Sequence, residues 1–291
     1  MTTRNSSHLV ISPVWLVLFG ILSVQFGASI AKSIFDEVAP TTIVFLRLAT
    51  SAIILALVIR PSLRGKSRSD WLVALALGLT LGIMNWAFYQ SFQRIPLGIA
   101  VTLEFLGPLT LAVVGSRRAR DLVWVGLAAI GVAVLGLSGG SGSLNVLGVV
   151  FALVAGACWA AYILLSAQVG RRWPGLDGLA VASVVAAVLL TPAAIGVGGS
   201  DLLDPRILMI GALVGLLSSV IPYSCEMVAL RTMKPSVFSI LMSLEPAAAA
   251  LAGILVLDEF LTGEQWLAMV FIIIASVGAT RSQRTVVPAP D

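Results

Sequence analysis

The chain has 291 residues, 58% of them hydrophobic and 11% charged, with a mean hydropathy of +1.03, against roughly 25% charged residues in an average soluble domain. Apolar runs long enough for a bilayer core of about 30 Å recur along it, which excludes an ordinary soluble domain and predicts a multi-pass membrane protein. The net charge of +4 comes from Lys and Arg grouped between apolar runs, without interleaved aromatics, so it reads as topology signalling and not as a nucleic-acid surface.

Residues 1–12, with Arg4 and the single histidine His8, predict a cytoplasmic tail. The run 13–34 is long for a signal-peptide core and is not followed by a cleavage site and soluble domain, so it predicts a retained first helix. Lys32 lies near enough to its end to snorkel. The run 39–60 carries Arg47 about a third of the way in, where the charge cannot be neutralised. Two readings stay open for it: an ion pair with Glu104 or another carboxylate, or a contact to a substrate carboxylate.

The run 71–93 holds the small-xxx-small pair Gly78 and Gly82, a helix-packing signature, and then Asn85, Trp86 and Tyr89. In the run 96–115, Glu104 stands four residues before Pro108, whose ring nitrogen cannot bond the Glu104 carbonyl. The run 121–138 is featureless, and the uncharged linker 139–144 follows it. Trp159 and Tyr162 share a face of the run 145–168; Cys158, like Cys225, has no CxxC partner, so neither a disulfide framework nor a metal site is expected.

After the run 178–197, the run 206–230 carries Pro222, Tyr223 and Glu226. The run 235–257 interrupts small residues with Glu245 and Pro246, and Pro246 frees the Met242 carbonyl. Ala249 and Gly253 repeat the small-xxx-small spacing. The run 264–280 and a cytoplasmic tail at 281–291 close the chain. The fold class is thus an all-α membrane protein with ten transmembrane helices.

Charge sets their direction. With the N-terminus in the cytoplasm, that side holds Arg4; Arg60, Arg64, Lys66 and Arg68; Arg117, Arg118 and Arg120; Arg171 and Arg172; Arg231 and Lys234; Arg281 and Arg284, fourteen of the 18 basic residues. The other side holds Arg94 and Arg206. This bias predicts that both termini are cytoplasmic.

The linker divides the helices five and five, into units at 13–138 and 145–280, and the halves resemble one another. "NWAFYQSFQRIPLGIAVTLEFLGPL" parallels "PYSCEMVALRTMKPSVFSILMSLEPA": Arg94 matches Arg231, Pro96 matches Pro235, and Pro108 matches Pro246. An odd number of helices per unit makes the repeat inverted, the arrangement in which secondary transporters bind substrate near the midplane. The two prolines lie 138 apart, so Glu104 is equivalent to Met242. Carbonyls freed at membrane depth need protein or a water-filled cavity, which predicts that both broken helices line one central cavity.

A charge at the bilayer centre costs about 3 kcal/mol on insertion scales, so Arg47, Glu104, Glu226 and Glu245 imply partners or water. The substrate-lining candidates are Arg47, Asn85, Trp86, Tyr89, Glu104, Trp159, Tyr162, Tyr223, Glu226 and Glu245. Ordinary packing or interfacial anchoring is the alternative for Asn85, Trp86, Tyr89, Pro222, Tyr223 and Glu226, and likewise for Trp159 and Tyr162. Glu245 and Glu104 are the proton-coupling candidates, Pro108 and Pro246 the helix breaks.

The motifs "NWAFYQSFQRIPLGIAVTLEFLGPL", "GACWAAYILL" and "IPYSCEMVALRTMKPSVFSILMSLEPAAAALAGILVLDEFLTGEQWLA" resemble the EamA-type drug/metabolite transporters, and within them the bacterial threonine/homoserine exporters, over about residues 13–280. The resemblance implies a ten-helix inner-membrane exporter of small amino acids or related metabolites. It supplies no catalytic residues. Relatives often read "LGE" where this chain has "LDE", so Glu259 keeps the usual acid and Asp258 departs from the pattern.

The expected function is proton-driven export of small neutral amino acids: a buried glutamate takes up a proton from outside in exchange for a substrate ammonium, while Arg47 or a polar cluster holds the carboxylate. Substrate, protons and bilayer are the expected partners, with no nucleic acid and no cofactor. Export of aromatic or amphipathic compounds is the alternative within transport, and a non-transporting membrane scaffold the alternative outside it. An intramembrane enzyme lacks a constellation, since no HExxH or GxSxG is present.

Overall fold

The computed structural model describes residues 12–114, 122–137, 145–230, 233 and 235–282. His8, the bases Arg4, Arg117, Arg118, Arg120, Arg231, Lys234 and Arg284, and the linker 139–144 lie outside the described residues. Among the described residues there is no strand. The helices are α1 (Pro13–Lys32), α2 (Pro40–Ile59), α3 (Arg68–Phe92), α4 (Leu97–Glu104), α5 (Leu106–Val114), α6 (Leu122–Leu137) and α7 (Val146–Arg172), then α8 (Asp177–Gly198), α9 (Pro205–Gly215), α10 (Ile221–Leu230), α11 (Pro235–Met242), α12 (Glu245–Leu257) and α13 (Gly263–Ser282). Eight helical segments are long and apolar enough to cross a membrane; the stretches Leu97–Leu111 and Leu122–Leu135 are apolar but shorter.

Local chemistry sets the helix starts. Pro13, Pro40 and Pro205 occupy first-turn positions, where a missing N–H costs nothing and φ is already helical. Ser67 and Asp70 form a reciprocal capping box at α3: the Ser67 Oγ accepts from the Asp70 N–H at 3.2 Å, and an Asp70 carboxylate oxygen accepts from the Ser67 N–H at 2.9 Å. Asn145 caps α7 by accepting from the Gly148 N–H at 3.1 Å.

Three apolar runs break internally, each just before a proline. Phe105 interrupts α4 and α5 ahead of Pro108, and Ser243 and Leu244 interrupt α11 and α12 ahead of Pro246. The two breaks fall at positions related by the 138-residue offset. The third is a π-helical turn, Leu216–Val220, between α9 and α10 and ahead of Pro222. The apolar pattern of 206–230 predicts one helix there; the structure interrupts it with this wider turn. Pro222 cannot bond the Ser218 carbonyl four residues earlier, and the Ile221 N–H instead reaches the Leu216 carbonyl.

Small residues let the segments approach. Gly78 and Gly82 face Ala182, Val185, Ala186 and Leu189 of α8, and a Cβ on Gly78 would lie 2.7 Å from the Ala182 carbonyl oxygen, as the spacing predicts. A Cβ on Gly98 of α4 would lie 2.9 Å from the Ala250 Cα of α12. At the α4–α5 break the Glu104 carbonyl rests against Gly156 of α7, where a Cβ would lie 2.7 Å from it, so the freed oxygen is covered by backbone. Large apolar side chains such as Trp15, Phe19, Leu57 and Val58 point outward. That exposure suits a lipid surface, against which tight packing and internal hydrogen bonding, more than apolar burial, hold helices together.

The packing partners are ordered. α3 runs along α7 and α8, while α9, the π turn and α10 run along α1 and α2. α4 and α5 pack on α7, as α11 and α12 pack on α1. α2 meets α8, α4 meets α12, and α6 meets α13.

Candidate functional site

These contacts leave a cavity of about 500 Å³ among α1–α3, both broken helices, α7, the π turn, α10 and α13. Its wall contains Arg47, Asn85, Glu104, Pro108, Trp159, Tyr162, Tyr223, Glu226 and Glu245. The structure therefore brings together eight of the ten side chains that the sequence offers as substrate-lining.

Arg47 is 9% exposed. Its Nη2 donates at 3.1 Å to the Ser218 carbonyl in the π turn, four residues before Pro222, which has no N–H to offer it. The guanidinium also lies 5.8 Å from the Tyr89 ring centroid. Among the described residues its Nε has no hydrogen-bond partner, and no carboxylate lies within ion-pair distance. Of the two readings left open for Arg47, the ion pair with Glu104 is not formed.

Glu104 ends α4 at the break and is half-buried; Glu226, on α10, is also half-buried; Glu245 opens α12 and is 9% exposed. Among the described residues no side chain hydrogen-bonds or ion-pairs with any of the three. Three carboxyl groups and one guanidinium, separated within one low-dielectric wall, offer an anion-binding end and a region that takes up cations or protons.

The aromatic candidates divide. Trp159 packs edge-on against Phe105 of the first break at 5.0 Å, and with Tyr162 and Tyr223 forms cavity wall. Trp86 turns away: its Nε1 donates to Thr41 Oγ1 at 3.1 Å and its ring meets Phe151 edge-on at 5.4 Å. Tyr89 is fully buried against Phe92, 4.7 Å between centroids, and touches the site only through Arg47. Both take the packing role that the sequence leaves as the alternative. Asn85 lines the cavity with its Nδ2 donating to the Leu81 carbonyl at 2.9 Å. Pro108 reaches the cavity wall, whereas Pro246 is buried at the start of α12.

Two residues escaped sequence reasoning. Gln25, on α1, is 1% exposed, faces the cavity, and its Oε1 has no partner. Ser218 is 3% exposed and its Oγ likewise has none. An uncharged amide inside an apolar run was a legible signal for Gln25. For Ser218 the signal was Pro222, four residues on, by the same argument as for Pro108 and Pro246.

Lys32 does not reach the cavity. It forms an ion pair with Glu259 and donates to the Ile95 carbonyl at 2.8 Å, while the second Glu259 oxygen accepts from the Leu97 N–H, also at 2.8 Å, at the start of α4. Asp258 supports that acid through its backbone: at φ +54° it ends α12 in the left-handed conformation, where glycine carries no Cβ penalty.

The model of the EamA-like transporter family matches residues 146–281. The threonine/homoserine exporter RhtA of Salmonella typhimurium (strain SL1344) is 43% identical over 277 residues, covering 94% of both chains. RhtA of Escherichia coli (strain K12) is 41% identical over the same share of both. The uncharacterized transporter YwfM of Bacillus subtilis (strain 168) is 27% identical over 246 residues, 81% of this chain and 82% of its own. A solved crystal structure superposes with a TM-score of 0.57 at 18% identity, covering 92% of this chain and 96% of its own, a likeness of fold alone.

Proposed function

The chain belongs to the EamA-like transporter family, and from that membership we propose that it exports small neutral amino acids of the threonine and homoserine type across a bacterial inner membrane by proton antiport. The observation that carries this reading is Arg47, buried, unpaired with any carboxylate among the described residues, and facing the cavity that Glu104, Glu226 and Glu245 share. A zwitterionic amino acid has one group for each: its carboxylate for the guanidinium, its ammonium for a glutamate. Protonation of that glutamate from outside then releases the ammonium, which couples export to proton entry.

The reading includes ten crossings in two inverted five-helix units at 13–138 and 145–280. The family model spans the second unit nearly end to end, and the first has similar length. The packing supports the repeat: counting α4 with α5, α9 with α10, and α11 with α12 as single segments, the partnerships of α3 with α7, α3 with α8, and α4 and α5 with α7 each have a counterpart five segments along. The pairing of α3 with α7, for example, matches that of α9 and α10 with α1. With both termini cytoplasmic, the cavity wall extends towards the cytoplasmic ends of α11 and α13 at Ser239 and Thr280. The network of Lys32, Glu259 and Leu97 and the Gly98–Ala250 contact close the opposite end. That arrangement supports an inward-facing resting state in alternating access.

Trp159, Tyr162 and Tyr223 favour a second reading, export of aromatic or amphipathic compounds, because they do line the cavity. Proteoliposomes loaded with labelled threonine separate the two. Release accelerated by an inwardly directed proton gradient, and inhibited by homoserine more strongly than by tryptophan, supports amino-acid antiport. Release that ignores the gradient removes the coupling, and stronger inhibition by tryptophan favours the second reading. Absence of flux for the whole panel, together with a stably copurifying partner, favours the scaffold.

A further inference from the structure

With Arg47 and the glutamates assigned to the head group of an amino acid, a buried side-chain acceptor of a cavity-lining residue remains without a partner among the described residues: the Gln25 Oε1. Natural proteins rarely bury an unpaired acceptor, because its lost hydration is not returned. Among the described residues none hydrogen-bonds the Gln25 side chain, although 99% of the residue's surface is covered. The groups around it are pinned. Ser23, two residues earlier on α1, donates from Oγ to the Leu217 carbonyl in the π turn at 2.7 Å. Two residues later Gly27 leaves room for the Ser218 hydroxyl: a Cβ there would overlap the Ser218 Oγ and lie 3.0 Å from the Leu217 side chain, so α1 meets that turn without space between them and the Ser218 hydroxyl is packed against α1. Gln25 thus stands on a stretch of α1 held against the π turn, and the residue borders the cavity.

We propose that Gln25 recognises the side-chain hydroxyl of the substrate and so selects hydroxyl-bearing amino acids over aliphatic ones of equal size. This inference rests on the amino-acid reading of the cavity. A carboxamide suits the task because a hydroxyl is both donor and acceptor, and an amide presents one acceptor and one donor side by side. Being neutral, it does not compete for the ammonium or carboxylate that the charged residues take. Threonine bears its hydroxyl on the β carbon and homoserine on the γ carbon. The carboxamide, carried on two methylenes, reaches either position by a change of rotamer. An aliphatic isostere would leave the amide oxygen buried and unpaired, and a site built to bond a hydroxyl discriminates strongly against ligands that lack it.

The test compares full-length wild type, Gln25→Leu and Gln25→Met in proteoliposomes, with labelled threonine and with labelled valine, which has a methyl group in place of the hydroxyl. In the wild type the threonine-to-valine ratio of kcat/KM should exceed tenfold. In both variants it should fall towards one through loss of threonine flux, with valine flux kept or raised; retained valine flux also reports a folded transporter. An equal loss of both substrates overturns the inference, because Gln25 then serves the fold or the head group. An unchanged ratio overturns it too. If the variants prove inactive, threonine and valine protection against thermal unfolding gives the same comparison without transport, and equal protection of wild type by the two amino acids sinks hydroxyl recognition. Wild-type vesicles that move neither amino acid remove the amino-acid reading, and this inference with it.

Discussion

Arg47 and Ser218 meet across the cavity wall, the guanidinium Nη2 donating to the Ser218 carbonyl at 3.1 Å. The bond joins two sequence features that are separately unfavourable in a membrane: a charge that cannot be neutralised and a carbonyl without a helical partner. Pro222 makes that carbonyl available, the π turn presents it, and Arg47 is oriented by it while its Nε stays free. The same contact supports the fold and aims the anion-binding group.

Arg47→Lys should therefore behave as a severe change. Lysine keeps the charge but cannot bond the Ser218 carbonyl and a substrate carboxylate with one planar fork. The loss of one charge-assisted hydrogen bond, about 2 kcal/mol, corresponds to a rise of more than tenfold in KM for threonine. Concentration-dependent efflux from proteoliposomes measures it. A KM within twofold of wild type would remove Arg47 from the head-group site.

Pro222→Ala should trade function for regularity. Alanine restores an N–H four residues after Ser218 and favours an uninterrupted α-helix, which withdraws the carbonyl from Arg47. Thermal unfolding should be unchanged or shifted upward while threonine transport falls at least tenfold. Full transport with a raised melting temperature would show that the π turn is dispensable.

The limits of the sequence follow from the same residues. Helix positions were legible because about 20 apolar residues per crossing is a demand of the solvent, and few alternative structures satisfy it. The breaks before Pro108 and Pro246 were legible because a missing N–H is a local fact. The π turn was hidden because the apolar run 206–230 looks the same whether its helix is regular or widened by one residue. Trp86 and Tyr89 share a helix with Asn85, yet spacing along α3 does not say that α7 takes Trp86 or that the aromatic core takes Tyr89. The ion pair of Lys32 with Glu259 joins the two halves of the chain, and only packing brings its ends together.

That ion pair yields a stability prediction. The Lys32 and Glu259 side chains are 15% and 18% exposed, and Glu259 also satisfies the first N–H of α4. Glu259→Gln leaves a largely buried ammonium without its counterion, expected to cost about 2 kcal/mol, below the range for a fully buried pair. Lys32→Met combined with Glu259→Gln should be less destabilised than the two single effects added together, since each single change strands the other partner. Strict additivity in denaturant unfolding would mean that the pair is not coupled.

Next to it, Asp258→Gly should stabilise. Asp258 holds φ at +54°, a region where an L side chain costs about 1 kcal/mol and glycine costs little. Asp258 forms no ion pair among the described residues, so its removal gives up little in return. A gain of about 0.5–1 kcal/mol is expected, with transport unchanged. A loss of stability would assign the Asp258 carboxylate a role of its own.

The coupling carboxylates can be separated by their surroundings. Glu104 closes α4 beside Trp159 and Phe105, and Glu245 opens α12 at the equivalent break, shifted by three residues from the repeat position of Glu104. Since the repeat does not make them a symmetric pair, the two need not contribute equally. Glu104→Gln and Glu245→Gln each keep side-chain volume and remove the titrating group, so each should lower the ratio of threonine efflux with and without an inward proton gradient. The glutamate that exchanges its proton for the ammonium should bring that ratio to one, while the other variant retains part of it. Threonine protection against thermal unfolding, measured at constant pH, distinguishes lost binding from lost coupling. If both variants keep the wild-type ratio, Glu104 and Glu245 belong to the wall of the cavity and not to its chemistry, and Glu226 becomes the remaining carboxylate on that wall able to carry the proton.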